Sequence, residues 1–262
     1  MTDHDTLIQT SHILGVRVDA TSYTQAIELV RTWTELGESR IVCTANVHML
    51  MTAYDDIAFR GVMRDADLVT PDGMPLVWTL RRMGYAQQER VYGPTLTCKL
   101  LSFSEEAGIP VGFLGSTPAV IENLQVRVKQ AYPQIKLDYA YSPPFRVLNS
   151  VEDAAIVEAV NRSGVSVLFV GLGCPKQELW MHAHRGKVNA VMLGVGAAFD
   201  YLAGVKPQAP LWVQRIGMEW FYRLVTEPKR LWKRYLVYNP RFAVAVIWEL
   251  LTRRHNQTDK EI

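Results

Sequence analysis

The sequence is poor in cysteine and has no long hydrophobic run. Its three cysteines, Cys43, Cys98 and Cys174, are far apart and form no CxxC pair, which argues against a disulfide framework or a zinc site. The most apolar part of the C-terminal region, residues 242–251, is ten residues long, whereas a membrane-spanning helix needs about 20. The first ten residues are polar and acidic, so we expect no signal peptide. Together these absences favour the reducing cytoplasm.

Complete nucleotide-binding fingerprints are also absent. Gly171 and Gly173 begin a G-x-G-x-x-G pattern, but position 176 is Lys, and no G-x-x-x-x-G-K-[ST] loop occurs. This argues against a nicotinamide-dependent oxidoreductase, which needs that fingerprint on its Rossmann fold. Two explanations of the glycines stay open. In one, their backbone amides approach a phosphate at a helix N-terminus. In the other, the glycines only form a tight turn whose dihedral angles favour glycine.

Short apolar runs alternate with amphipathic stretches through most of the chain. We predict strands at residues 13–18, 40–44, 68–70, 111–114, 135–140, 165–170 and 190–195. Apolar residues at three- and four-residue spacing predict helices at about 23–36, 47–63, 94–107, 119–131, 151–161 and 177–185. The alternation predicts an α/β fold, with a Rossmann-like parallel sheet as its core.

The pattern changes at Lys206, where we place a domain boundary between residues 1–205 and a helical C-terminal appendage, residues 206–262. The appendage contains 11 Lys and Arg against 5 Asp and Glu, whereas residues 1–205 contain 17 against 21. It also holds nine of the 26 aromatic residues. Prolines after Glu227 and Asn239 predict two or three short helices.

Basic and aromatic residues alternate within the appendage. The basic ones are Arg223, Arg230, Lys233 and Arg234. This pattern is typical of a helix that lies on an anionic membrane surface. A solvated basic face and an RNA-binding surface are alternatives. RNA ranks lowest, because RNA readers usually display aromatics on a sheet or in a single-strand groove, so we expect no nucleic acid partner.

Glycines and polar residues follow five of the predicted strands, in the segments 44–48, 71–73, 115–117, 171–178 and 196–200. Ligands of open parallel sheets bind beyond the carboxyl ends of the strands, so these segments predict one shared crevice. Asp72, in Thr-Pro-Asp-Gly, is either a turn residue or a general base held at a strand end.

Two short patterns resemble metal-binding motifs, but neither is strong evidence for a metal site. Asp65-Ala66-Asp67 matches the D-x-D pattern that many glycosyltransferases use to hold a metal, but it precedes its strand, which favours surface or capping carboxylates. His182 and His184 are spaced by two on a predicted helix, so their rings would point in different directions. We predict no metal site and no cofactor.

Seven motifs in a fixed order carry a resemblance to a known family. They are Thr44-Ala45-Asn46, Thr70-Pro71-Asp72-Gly73, Arg90-Val91-x-Gly93, Gly112-Phe113-Leu114-Gly115, Gly171-x-Gly173-x-Pro175-x-Gln177-Glu178, Gly196-x-x-Phe199-Asp200-x-x-Ala203-Gly204 and Glu219-Trp220-x-x-Arg223-Leu224-x-x-Glu227-Pro228-x-Arg230. Over about residues 13–240, the chain resembles the WecG/TagA/CpsF glycosyltransferase family.

The resemblance implies inverting, metal-independent transfer of a sugar from a UDP-sugar to an undecaprenyl-diphosphate-linked saccharide, in cell-surface polysaccharide synthesis. It implies that Asp72 is the catalytic base. The residues it places around donor and acceptor are Thr44, Asn46, Arg90, Gln177, Gly171, Gly173, Arg223, Arg230 and Lys233. It also implies that the appendage docks peripherally on the inner face of the cell membrane.

Two positions depart from the usual pattern of the family, Gln208 in place of Arg and Thr95 in place of Asp. Either change could alter donor or acceptor choice. The alternative is a non-catalytic peripheral membrane module that binds a nucleotide or a lipid-linked sugar, which gives Asp72 and Gln177 no special role. If the aromatic appendage is exposed to water, we also expect self-association into a homo-oligomer.

Overall fold

A computed structural model of the chain describes residues 8–258. The remaining residues, 1–7 and 259–262, lie outside the described part, and with them most of the segment used to judge the signal peptide. The strands are β1 Gln9–Ile13, β2 Val16–Ala20, β3 Arg40–Ala45, β4 Leu68–Pro71, β5 Val111–Gly115, β6 Leu137–Tyr141, β7 Val167–Gly171 and β8 Val191–Gly194. Strands β3 to β8 form a parallel sheet in the order β4-β3-β8-β7-β5-β6. The predicted α/β fold with a parallel sheet is confirmed.

Helices connect the strands and follow them at the C-terminal end. They are α1 Tyr23–Glu35, α2 Val47–Asp55, α3 Ile57–Asp65, α4 Met74–Arg82, α5 Gly93–Ala107, α6 Pro118–Ala131, α7 Ser150–Ser163, α8 Lys176–Ala183, α9 Ala198–Leu202, α10 Leu211–Arg215, α11 Glu219–Thr226, α12 Pro228–Lys233 and α13 Asn239–Thr258, with a π-helical turn at Arg234–Tyr238. Within residues 8–258, no helix combines the length and the hydropathy needed to cross a membrane.

The first predicted strand, residues 13–18, is wrong, because the chain reverses within it. Leu14 (φ 53°) and Gly15 (φ 74°) form the turn between β1 and β2, which pair antiparallel as a separate two-stranded sheet. Positive φ at both central residues matches the twist of a hairpin. A leucine is unusual there, which is why the apolar run reads as a continuous strand.

Two helical predictions also need correction. The predicted helix at 47–63 is two helices, because Asp56 (φ −120°) ends α2 and its carboxylate accepts from the backbone N–H groups of Ala58 and Phe59 to begin α3. In the appendage, the predicted break at Asn239-Pro240 does not occur. The π-helical turn ends at Tyr238, two residues before Pro240. Because such a turn changes the local backbone hydrogen-bond pattern, the helix continues past Pro240 although proline has no N–H to donate.

The core lies on both faces of the parallel sheet. One face packs against α2, α3 and α8, and this cluster also includes Phe242 and Val246 of α13. The other face packs against α1, α5, α6 and α9. The appendage therefore shares apolar contacts with the sheet domain through α13. The boundary at residue 205 stays a prediction.

Asp19 ties the hairpin to the edge of the parallel sheet. Its side chain is fully buried and accepts hydrogen bonds from Arg17 Nε at 2.9 Å, from Thr10 Oγ1 at 2.9 Å and from the backbone N–H of Val69 in β4 at 2.8 Å. A buried carboxylate is tolerated because it is both paired and hydrogen-bonded.

We predict that Asp19→Ala lowers the free energy of unfolding by about 3–5 kcal/mol, because it leaves a buried cation and a buried N–H without their partner. Urea denaturation at pH 7 measures this. The control is Asp138→Ala, which removes an exposed carboxylate from β6 and should change stability by less than about 0.5 kcal/mol. Equal losses in the two variants would contradict the role of Asp19.

Candidate active site

A pocket lies at the carboxyl ends of β3 and β4, where α11 and the π-helical turn of the appendage close over the sheet. Its empty volume is about 630 Å³, including space open to solvent. The lining residues with polar side chains are Asn46, His48, Asp72, Arg90, Glu219, Trp220, Arg223, Arg234, Tyr235 and Asn239. Only two of the five strand-end segments expected in one crevice, 44–48 and 71–73, line this pocket, and the appendage forms one of its walls.

Asp72 and Asn46 are neighbours because β3 and β4 are parallel and in register, with Ala45 opposite Pro71. The backbone N–H of Asp72 donates to the carbonyl of Ala45 at 2.8 Å. Gly73 packs so closely on Asn46 that an added Cβ would lie 3.3 Å from the Asn46 Cα. The Asn46 side chain caps α2 by accepting from Met49 N at 3.2 Å.

Arg90 connects the strand end to the appendage. Its Nη2 lies 2.7 Å from Glu219 Oε2 and 3.6 Å from Asp72 Oδ1. Tyr92 donates its hydroxyl to Glu219 Oε1 at 2.8 Å, and the Arg90 guanidinium lies 3.9 Å from the centre of the Tyr92 ring. The Arg90 and Glu219 side chains are only 17% and 8% exposed, so both charges are largely removed from water.

Burial raises the pKa of Asp72 to about 6, from an ordinary value of 3.8, and the Glu219 carboxylate adds to the increase. The nearby Arg90 charge, the hydrogen bond from Gly93 N and the Arg223 charge act in the opposite direction without cancelling it. A carboxylate with this pKa is ionised at neutral pH and more basic than an exposed aspartate. Such a group is suited to general base catalysis near pH 7.

Two further arginines in the pocket have no carboxylate partner. Among the described residues, neither Arg223 nor Arg234 forms a salt bridge, and the buried Nε of Arg223 has no hydrogen-bond partner. Burial lowers the pKa of Arg234. Burial and the Arg234 charge together lower the pKa of His48 to about 4, so this histidine is neutral at pH 7. The pocket thus holds unpaired positive charge suited to an anionic ligand.

Six of the predicted ligand-binding residues lie outside this pocket, four of them in the sheet domain. Thr44 is buried beneath it and donates to the carbonyl of Gly194 at 2.8 Å. Gln177 is also buried, accepting from Gly173 N at 3.1 Å and donating to Glu178 Oε1 at 2.7 Å. Gly171 ends β7, where an added Cβ would lie 2.5 Å from the Phe199 ring. Gly173 has a φ of +81°, so both explanations of the glycine pair stay open.

Arg230 and Lys233 are exposed on α12 and do not reach the pocket. Arg230 forms a salt bridge with Glu227, which also binds Lys206. Of the three basic residues of the appendage that the resemblance assigned to the site, the structure brings only Arg223 into the pocket with Asp72. The other two belong to the outer surface of the appendage.

The D-x-D residues lie at the opposite end of the sheet from the pocket. Asp67 precedes β4 and binds Arg40, Arg185 and the backbone N–H of Ile41. Asp65 contacts His182 at 3.2 Å. Among the described residues, no group of three or more His, Cys, Asp or Glu side chains is arranged to hold a metal.

A second pocket lies beyond β5 and β7, with an empty volume of about 1280 Å³, including open space. Its floor contains Ser116, Gly171 and Leu172, and its apolar wall contains Phe145 and Trp180. Lys176, at the first position of α8, also lines it. Aromatic walls beside a cation and a helix N-terminus suit a planar ring joined to phosphate.

Both departures from the family pattern contact tyrosines near Arg90. The side chain of Gln208 lies close to that of Tyr92, and the side chain of Thr95 lies close to that of Tyr23. Tyr23 in turn accepts a hydrogen bond from the backbone N–H of Tyr92 at 2.9 Å. The two departures therefore lie behind the pocket, beside tyrosines of which Tyr92 contacts Arg90 and Glu219.

The sequence did not identify several residues of the pocket. Glu219 and Trp220 stand at the start of the seventh motif but were given no role there. Arg234 belongs to the basic series that was noticed, and His48 directly follows a strand-end motif. Trp220 and Tyr235 belong to the aromatic series that, with the basic residues, predicts a membrane-facing helix. The structure places both in the pocket, because the side of the appendage that meets the sheet depends on how the appendage docks.

Comparison with known proteins gives two consistent results. Residues 11–256 match the glycosyl transferase WecG/TagA/CpsF family. A relative from Bacillus subtilis (strain 168) is 30% identical over 211 residues, 80% of this chain and 79% of its own length. One from Staphylococcus aureus (strain NCTC 8325 / PS 47) is 28% identical over 222 residues, covering 84% and 85%.

Both relatives are named N-acetylglucosaminyldiphosphoundecaprenol N-acetyl-beta-D-mannosaminyltransferase. The family match extends through the sheet, the Asp72 pocket and nearly all of the described appendage. The resemblance inferred from the seven motifs is therefore confirmed, and with it the expectation of an enzyme that transfers a sugar. The chain belongs to the glycosyl transferase WecG/TagA/CpsF family.

Proposed function

We propose that the protein transfers a hexose or N-acetylhexosamine-type sugar, with inversion, from a UDP-sugar to an undecaprenyl-diphosphate-linked saccharide. The family and the named substrate of the two relatives support the lipid-linked acceptor. The observation that carries the proposal is the placement in one pocket of a carboxylate with a raised pKa and two arginines that form no salt bridge with any described residue. The carboxylate provides a base, and the two arginines provide positive charge for a diphosphate.

The reaction is a single displacement. Asp72 accepts the proton of the acceptor hydroxyl as that oxygen forms a bond to the anomeric carbon of the donor. The bond between this carbon and the diphosphate oxygen breaks on the opposite face, and UDP leaves with the electron pair. Arg223 and Arg234 stabilise the negative charge that develops on the leaving diphosphate, an effect that is strong where water is excluded.

The donor extends from the Asp72 pocket towards the second pocket. Asp72 follows β4 and Gly171 ends β7, three strand intervals away in the sheet, or about 14 Å at the usual spacing. An extended nucleotide-sugar bridges such a distance. The uracil ring then packs against the apolar wall near Trp180, and Lys176 with the amides of residues 171–177 faces the phosphate next to the ribose. The phosphate that bears the sugar lies in the Asp72 pocket, beside Arg223 and Arg234.

The enzyme associates peripherally with the inner face of the membrane through its appendage. Many large apolar side chains are exposed there, among them Leu211 at 70%, Trp212 at 66%, Trp232 at 53% and Trp248 at 71%. The exposed Arg230 and Lys233 on α12 lie beside Trp232. Tryptophans at the headgroup level and basic residues near anionic lipid both favour this association.

We predict that Asp72→Asn lowers kcat by about 10²- to 10⁴-fold, since the variant cannot accept the proton. Release of UDP from a panel of UDP-sugars, with N-acetylglucosaminyl-diphosphate lipid as acceptor, measures this. Asp65→Asn, at the other end of the sheet, is the matched control and should keep its activity. Full activity of a folded Asp72→Asn protein would rule out the base, whereas nucleotide binding without turnover by the wild type would favour a non-catalytic module.

The raised pKa of Asp72 predicts a linked pH dependence of activity and stability. Activity of the wild type should fall about tenfold per pH unit below the pKa of about 6, because the protonated carboxyl cannot act as a base. Since the pKa is higher in the folded protein, the ionised carboxylate destabilises the fold. Asp72→Asn should therefore raise the free energy of unfolding by up to about 3 kcal/mol at pH 8 and by almost nothing below pH ~4. A gain of equal size at both pH values would contradict this linkage.

The basic residues of the appendage should fall into two groups, one that affects the catalytic rate and one that affects membrane binding. Arg223→Ala and Arg234→Ala should each lower kcat by about 10²-fold on a water-soluble, short-chain acceptor, because each removes charge at the leaving diphosphate. Arg230→Ala with Lys233→Ala should leave that rate unchanged but weaken binding to anionic vesicles, at about 1 kcal/mol per residue. The opposite pattern would return Arg230 and Lys233 to the catalytic site.

A further inference from the structure

An apolar groove runs along the surface between α4 and α13. Its empty volume is about 830 Å³, including open space. The lining residues are Val47, Pro75, Trp78, Thr79, Arg82, Trp220, Asn239, Phe242, Ala243, Val246, Ile247 and Leu250. The mechanism described above uses none of the α4 or α13 side chains in its walls.

The spacing of these residues shows that each helix gives one continuous face to the groove. On α4 they fall at positions 75, 78, 79 and 82, and on α13 at 239, 242, 243, 246, 247 and 250. Steps of three and four residues keep side chains on the same side of a helix. Phe242 and Val246 are buried in the core at the base of this face, whereas Trp78 and Ile247 are 47% and 58% exposed.

The groove is continuous with the Asp72 pocket. Four residues line both of them, Val47, Pro75, Trp220 and Asn239. From Asn239 to Leu250 the groove follows eleven residue steps of α13, or about 16 Å at the rise of an α-helix. At its far end, Leu250 and Ile247 also line a shallower depression with Leu251. An apolar track therefore leads from the reacting centre to the outer surface.

We propose that this groove binds the first isoprene units of the acceptor's polyprenyl chain. The inference rests on the proposed function. An acceptor of this class joins a sugar and a diphosphate to an apolar chain, so a chain whose sugar hydroxyl lies at Asp72 must leave that polar pocket. The groove opens from the pocket itself, and burying the chain there removes apolar surface of both partners from water.

Continuity with the pocket selects this occupant over a lipid of the surrounding bilayer. An acyl chain from the bilayer would enter from the far end, near Leu251, and would need no connection to Asp72. Exposed apolar residues elsewhere on the appendage, such as Trp212 and Trp248, are available for bilayer contact without lining the groove. The groove therefore adds selection for the length and chemistry of the acceptor lipid.

The test compares N-acetylglucosaminyl diphosphates that carry dimethylallyl, geranyl or farnesyl chains, below their aggregation concentrations. For the wild type, KM should fall about tenfold or more from dimethylallyl to farnesyl as apolar surface is buried. Ala243→Trp, which fills the groove from an exposed position, should abolish that gain and leave kinetics with the dimethylallyl acceptor unchanged. Ile247→Asp, which places a charge in the groove, should do the same.

Val244→Trp is the matched control. Val244 is the next residue of α13, 70% exposed and outside the groove, so this variant should keep the chain-length dependence of the wild type. An absent chain-length dependence in the wild type would overturn the proposal. So would loss of the dependence in Val244→Trp, or its retention in both folded groove variants.

A binding measurement separates this inference from the proposed function. Calorimetry with dimethylallyl diphosphate and farnesyl diphosphate, without any donor, should give tighter binding of farnesyl diphosphate to the wild type and to Val244→Trp only. If no donor is turned over but this pattern holds, the groove stands and the proposed transfer fails. If the groove variants lose binding to vesicles yet keep the farnesyl preference, the groove holds bilayer lipid, and the proposal is wrong.

Discussion

The guanidinium of Arg90 lies between two carboxylates that are distant in sequence, Asp72 at the end of β4 and Glu219 at the start of α11. Glu219 is 129 positions from Arg90, and it also accepts a hydrogen bond from the hydroxyl of Tyr92. Loss of one partner of the close Arg90–Glu219 pair leaves the other charge uncompensated, at a cost of about 3–5 kcal/mol. The cluster therefore fixes where the appendage meets the sheet, and the positions of Arg223, Arg234 and the groove depend on it.

The same cluster accounts for the balance of charge around Asp72. Burial and Glu219 raise its pKa, while the Arg90 charge lowers it. Because Arg90 is largely occupied by its two carboxylates, it offers less charge to a ligand than Arg223 and Arg234 do. Base strength and anion binding are thus assigned to different side chains, although all of them line one pocket.

The appendage combines three surfaces with different partners. Its inner face supplies Glu219 and Arg223 to the pocket, and its α13 face forms one wall of the apolar groove. Its outer face exposes Arg230, Lys233 and several tryptophans. Such an arrangement suits a substrate with a sugar in the aqueous phase and a chain in the bilayer, because the polar and apolar parts meet the protein in adjacent places.

The sequence by itself determined the α/β fold, the family, and the placement of Asp72 and Asn46 at the same edge of the sheet. The fold follows from local periodicity, the family from the seven ordered motifs, and the placement from the rule that ligand-binding residues follow the carboxyl ends of parallel strands. That Asp72 lies directly beside Asn46 was decided by the pairing of β3 with β4. The sequence did not predict the hairpin turn at Leu14, because a leucine with a positive φ inside an apolar run gives no turn signal. Only the tertiary structure decided that Arg223 and Arg234 face the pocket while Arg230 and Lys233 face outward, and that Glu219 holds Arg90. Helical spacing gives the face on which a side chain lies, but the docking of that face depends on contacts between residues more than a hundred positions apart.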